Sequence, residues 1–278
     1  MNTATTVRVL RVWAQDAAAL ASTLARQDSS WGTETFPLAG GYVVLCGAGM
    51  YVNRALAVGL DGPLSSADWA RLEARCAAVG VAPSLETSPA TDPGVLRQIA
   101  SGGYRADGPK SALLSELGTG MPLPDPDPTF VIEPANEALL SVWQATSAAG
   151  WGHVTPTAVR VSDAFARAAA EVDGERFVVA SDRETGQPVG CASLTVRDGV
   201  ATLGAMSTMP AQRRRGVQSA LIAHRLRTAA DLGCDLATST AVPGADSERN
   251  LLRHGFEPWF VLDTHTLVDH DAHASHLS

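Results

Sequence analysis

Apolar positions at helical spacing run along residues 218–231, where Leu221, Ile222, Leu226, Ala229 and Ala230 form one stripe that stops at Gly233. An apolar strand-like run, 234–240, follows. A loop, a short helix at 247–253 and the pair Gly255-Phe256 complete the segment. The first half shows the same order. A helical run over 66–78 stops at Gly80, a strand-like stretch covers 82–87, a short helix spans 93–100, and Gly103-Tyr104 closes the unit. Two ancestrally related domains account for this repetition. Chance similarity between common helix–strand units is the alternative.

Short β-branched runs mark further strands at 41–46, 53–58, 176–181, 189–196 and 200–206. Asp182-Arg-Glu-Thr-Gly and Arg197-Asp-Gly read as hairpin turns. A meander followed by helix–strand–helix implies a mixed α/β fold, with a mostly antiparallel sheet flanked by helices in each half. Four prolines alternate with other residues over 121–128. Proline lacks a donor and extends its predecessor, so this stretch reads as a stiff linker between domains at 1–120 and 129–278. Trp259-Phe260 reads as core strand.

Composition narrows the classes. The 278 residues are 45% hydrophobic and carry a net charge of −8, which excludes wholesale disorder and a phosphate-tracking basic face. No apolar run is long enough to span a membrane, and the first residues lack a secretion-signal pattern, so a cytoplasmic location is expected. Cys46, Cys76, Cys191 and Cys234 lack metal or redox spacing and read as buried thiols. His270, His273 and His276 sit three apart in a polar tail and read as solvated, so no metal site is expected. The charge is uneven: residues 125–278 hold 12 basic and 19 acidic residues. Any cationic cluster there stands out.

One does. Met206-Ser-Thr-Met-Pro leaves a strand, and Arg213, Arg214, Arg215 and Gly216 precede the helix that begins with Val217, Gln218 and Ser219. A helix start presents unpaired N–H groups and about half a positive charge. Glycine lets a ligand approach the backbone. The combination suits a pyrophosphate. An arginine-rich turn that merely caps a helix or pairs with acids is the competing reading.

Arg213-Arg-Arg-Gly216-Val-Gln218, followed by Asn250-Leu-Leu-Arg-His-Gly255-Phe256, resembles the GNAT superfamily of acyl-CoA N-acyltransferases over residues 129–268. The first half fits only as a degenerate copy. The resemblance implies tandem GNAT-like domains. It implies that backbone groups of Met206, Ser207 and Thr208 meet the pantetheine arm of acetyl-CoA. Arg213 to Ser219 would hold the pyrophosphate, and Asn250 would touch the CoA chain or, alternatively, cap a turn. Gln218 stands where the family has Gly or Ala. Leu251 stands where many members have a tyrosine acid, so the catalytic groups are open, with Ser247, His153 and Glu184 as candidates.

In the first half, Leu60-Asp-Gly-Pro-Leu takes the place of the arginine turn. Asp61 repels phosphate and Pro63 removes a donor, so no CoA site is expected there. The Gly-x-Gly after Cys46 lacks the rest of a dinucleotide fingerprint and reads as a strand end. Trp151-Gly-His153 would line an acceptor cleft or simply pack a loop. The implied activity is acetyl-CoA-dependent N-acetylation of a small, cationic primary amine, favoured by the acidic second half. Acetylation of a protein N-terminus or lysine, and a CoA-binding module without catalysis, are the alternatives. No nucleic-acid or membrane partner is expected, and a homodimer is left open.

Overall fold

The computed structural model describes residues 2–50, 52–118 and 123–268. They form two compact units. One comprises the residues up to Ser111 together with those from Phe260 on; the other is Ala112–Trp259. The linker expected at 121–128 lies partly outside the described residues, as do His270, His273 and His276. The two units apportion the chain differently from a division at that linker: residues 112–118 group with the second unit, and the chain returns to the first from Phe260.

The first unit opens with helix α1 (Thr3–Gln27), which no sequence pattern above singled out. Strands β1 (Glu34–Leu38), β2 (Gly41–Leu45) and β3 (Arg54–Leu56) follow as an antiparallel meander. Helix α2 (Ser66–Ala78) then crosses to β4 (Ser84–Thr87), which pairs parallel with β3, and α3 (Pro93–Ser101) leads to β5 (Tyr104–Glu116). Strand β3 is shorter than the apolar run at 53–58 because Ala57 turns to φ 54° and Gly59 to φ 84°. The chain's last strand, β11 (Glu257–Leu267), pairs antiparallel with β4 and completes this unit's sheet. Leu72 and Cys76 of α2, Val95 and Ile99 of α3, and Phe36, Val43, Leu45 and Leu85 of the strands make its core.

The second unit takes the last residues of β5, then β6 (Phe130–Pro134), α4 (Glu137–Trp151), α5 (Pro156–Ala170), β7 (Glu175–Asp182), β8 (Pro188–Arg197) and β9 (Val200–Thr208). Helix α6 (Val217–Asp231) crosses to β10 (Leu236–Ala241), and α7 (Asp246–Arg253) follows. Strands β6 to β9 are antiparallel neighbours, and β10 lies parallel to β9. Strand alternation divides the packing. Val178, Ala180 and Ala192 face Val217 and Leu221 of α6, whereas Phe177, Val179 and Cys191 face Trp143 of α4 and Ala166 of α5. Ile222, Leu226 and Ala229 extend the α6 stripe over Leu203, Ala237 and Leu251. The helical periodicity read from 218–231 is therefore the buried face of α6. All four cysteines are buried and free. No helix of the described residues is long and apolar enough to cross a membrane.

Candidate functional site

Strand β9 departs from a regular ladder on both of its edges. Against β8, Cys191 pairs with Ser207 and Ser193 pairs with Gly204, so Ala205 and Met206 together oppose the single residue Ala192. This two-against-one count is a β-bulge. Ala205 sits at φ 39°, a left-handed conformation that alanine adopts only when held there. Against β10, the parallel register covers Val200 to Thr202. Past Thr202 the parallel register ends, and the next contact from β10 is the Ser239 hydroxyl, which donates to the Leu203 carbonyl (2.9 Å).

The bulge is braced from both faces of the sheet. On one, the Trp143 indole N–H donates to the Ala192 carbonyl (3.0 Å), and the Ser207 hydroxyl donates to the Ser147 carbonyl (3.4 Å). The Trp143 ring itself leans on Phe177, with centroids 4.4 Å apart. On the other face stands Arg225, which is 1% exposed. Its guanidinium donates to the carbonyls of Leu221 (3.1 Å), Ser193 (2.9 Å) and Gly204 (3.1 Å), and to the Met206 sulfur (3.0 Å). Burial pulls its pKa down to about 9, which leaves it charged at neutral pH.

After β9, Met209 N–H donates to the Val189 carbonyl (3.0 Å), and a short turn at Pro210–Gln212 brings the arginines to the start of α6. Gly216 is the N-cap, at φ 87°, and supplies no side-chain cap. The first N–H groups of α6 are therefore left without a capping acceptor. The three arginines divide the work. Arg215 donates to Asp182 Oδ2 (2.9 Å) and to Gln212, and Arg213 donates to the Gly150 carbonyl at the end of α4 (3.0 Å). Arg214 is exposed, at φ 64°, and has no side-chain partner among the described residues. Asp182 is 7% exposed, and its carboxyl is held below the usual range first by the Thr185 N–H and then by Arg215. One acid stands close by: Asp127 Oδ2 lies 3.5 Å from where a Cβ on Gly216 would be.

Asn250 and Gln218, on the two motifs that sequence spacing links, are joined directly: Asn250 Nδ2 donates to Gln218 Oε1, and Arg253 donates to Asn250 Oδ1 (2.6 Å). Leu251 is 2% exposed and belongs to the core beside Leu226 and Phe256. The three candidate proton carriers are scattered. Glu184 is exposed in the turn between β7 and β8, and Ser247 is half-buried in the first turn of α7. His153 follows the α4 C-cap, with Nδ1 buried and unpartnered. No hydrogen bond joins any two of them. Trp151 is 59% exposed. A surface cavity of about 630 Å³ in the first unit, lined by Thr87, Leu96, Tyr104, Asp263 and His265 among others, shares no residue with this site.

Residues 137–256 match the family model described as the acetyltransferase (GNAT) family. This segment is a GNAT acetyltransferase domain. Family members use acetyl-CoA. The matched segment contains α4 through α7 and so spans the bulge, the arginine turn and Asn250. Among solved structures, a GCN5-related N-acetyltransferase from Kribbella flavida is 21% identical with a TM-score of 0.63, covering 91% of this chain and 94% of that one. A tandem GNAT protein from the clavulanic acid biosynthesis pathway is 16% identical with a TM-score of 0.61, over 89% and 86% of the two chains. At these identities the likeness establishes a GNAT fold, including a tandem one. None of the curated proteins matches the chain.

Sequence reasoning located the arginine turn but missed Arg225, Trp143 and Asp182. The signal for Arg225 was present: it falls on the same α6 stripe as Leu221, Ile222 and Leu226, where a charge must be held by buried acceptors. The Ala192 carbonyl that meets Trp143 and the Arg215 that meets Asp182 are tertiary partners and leave no such mark.

Proposed function

We propose that this GNAT protein is an N-acetyltransferase that moves the acetyl group of acetyl-CoA to the primary amine of a small cationic acceptor. The observation that carries it is the uncapped start of α6 beneath Arg214. Met206, Ser207 and Thr208 would meet the pantetheine arm beyond the point where the parallel β9–β10 register stops. Arg213, Arg214, Arg215, Gly216, Val217, Gln218 and Ser219 would hold the pyrophosphate, and Asn250 would act through its bond to Gln218. The amine nitrogen attacks the thioester carbonyl, the C–N bond forms, the C–S bond breaks, and the nitrogen proton leaves as the CoA thiol is released. With Leu251 buried, that thiol must take its proton from a group other than the residue at this position. The first half, 1–120, is read as a degenerate GNAT-like domain without a CoA site, and 129–278 as the acetyltransferase domain joined through 121–128.

Arg214→Glu tests the reading without disturbing the fold, because Arg214 anchors nothing. Wild type should be stabilised against heat by millimolar acetyl-CoA and should release CoA thiol with at least one member of an amine panel. Arg214→Glu should lose both while keeping its own melting temperature. A wild type that ignores acetyl-CoA would overturn the proposal. Stabilisation without thiol release on any amine or N-terminal peptide would favour the non-catalytic binder.

A further inference from the structure

Arg225 is a buried cation for which no carboxylate serves as partner among the described residues. Such a group is expensive to bury unless every donor finds an acceptor, and here the acceptors are chosen from both strands of the bulge. Ser193 and Gly204 are cross-strand partners immediately before the bulge, and Arg225 Nη1 takes both of their carbonyls. Nη2 takes the side chain of Met206, the bulge's second residue, while Nε ties the group to the Leu221 carbonyl of its own helix. One planar fork thus fixes the carbonyls on one side of the irregularity, the side chain within it, and the helix that leads back to the arginine turn.

We propose that Arg225 is the positioning residue that holds β9 in its bulged register, keeping Ala205 left-handed and setting which way Met206, Ser207 and Thr208 present their backbone. The functional half of this inference rests on reading that strand end as the place where the pantetheine arm of acetyl-CoA is held. Strand side chains alternate with period two, so removing the bulge shifts the register by one residue and turns every later group on β9 to the opposite side. A lysine in place of Arg225 can reach one acceptor group at a time and lacks the fork that joins both carbonyls to Met206.

Three variants decide it: Arg225→Met, Arg225→Lys and Arg225→Met combined with Ala205→Gly. The Cα and Cβ carbon shifts of Ala205 in alanine-labelled protein report its φ region. In wild type they should be left-handed, in Arg225→Met they should move to the extended range, and in Arg225→Lys they should show a mixture. In Arg225→Met the dissociation constant for acetyl-CoA should rise about tenfold, while that for 3′-phospho-ADP, which lacks the pantetheine arm, changes less than about twofold. Glycine accepts a left-handed φ freely, so Ala205→Gly in the same chain should recover most of the lost acetyl-CoA affinity. A left-handed Ala205 in folded Arg225→Met overturns the proposal, and so does equal weakening of both ligands. If Arg225→Met does not fold, the lysine variant is read by the same two criteria. If wild type binds neither ligand, the acetyltransferase reading fails, and the carbon shifts still decide the role of Arg225.

Discussion

Both units cross from a strand into a helix after a parallel-paired strand, yet they finish the helix start in opposite ways. In the first unit α2 begins with a capping box. Ser65 accepts from the Asp68 N–H (3.2 Å), and Asp68 Oδ2 accepts from the Ser65 N–H (2.9 Å) and hydroxyl (2.7 Å). Ahead of it, Asp61 is tied to Arg11 at 2.7 Å. The Asp68 N–H is satisfied from within the helix, and each acid has an arginine beside it, Arg11 for Asp61 and Arg71 for Asp68. In the second unit α6 begins at Gly216 with no cap, beneath Arg214 and beside an Arg215–Asp182 ion pair that fixes the turn. The same strand-to-helix crossing has a side-chain cap in one unit and none in the other. The lesson is that a helix dipole makes an anion site only where its N–H groups have not been used by the helix's own side chains.

The largest break in that contrast is to close α6. Ser219 occupies the position that Asp68 holds in α2, so Ser219→Asp installs an acid in the first turn. Acetyl-CoA affinity should fall by about a hundredfold through lost donors and charge repulsion, with the melting temperature unchanged or raised, as calorimetric titration and thermal melts would show. Removing the Arg215 anchor comes next. Asp182→Asn should weaken acetyl-CoA about five- to tenfold, because one arginine of the turn is released and must be ordered on binding.

The mirror change in the first unit is smaller and falls on stability alone. Ser65→Ala should cost about 1 kcal/mol in chemical denaturation and leave acetyl-CoA binding untouched. The bonds from Ser65 hold the Asp68 carboxyl below its ordinary value of 3.8. Its folded pKa is therefore depressed, so the contribution of this box is complete above that value and is lost as pH falls below it; Ser65→Ala should flatten that acid limb. The smallest change should sharpen the contrast. Asp127→Asn removes the one acid beside Gly216 and should tighten acetyl-CoA about two- to fivefold, most clearly at low salt.

Much of this was legible in the sequence. The α6 stripe, the arginine turn and the glycine that follows it are local signals, since a helix start is written in consecutive residues. The Asp61–Pro63 turn ahead of α2 was read there too, but the Ser65–Asp68 box was not, although Ser-x-x-Asp is a local signal. The bulge was not legible, because Ala205 carries no residue preference for φ 39° and is held there by Arg225 and Trp143 from distant positions. Helix α1 also passed unread, although Leu10, Ala14, Ala18 and Ala21 recur at helical spacing on its buried face, because a stripe built mostly of alanine is a weak apolar signal. The fate of β11 was equally hidden: its sequence shows a strand, but pairing with β4, some 180 positions earlier, is decided by tertiary contacts.

The most direct test of the account is a calorimetric titration of the whole chain with acetyl-CoA, in wild type and in Ser219→Asp. The account predicts one site per chain in wild type and none measurable in the variant at the same concentrations. Two sites per chain, or a single site that survives Ser219→Asp with unchanged affinity, would contradict it.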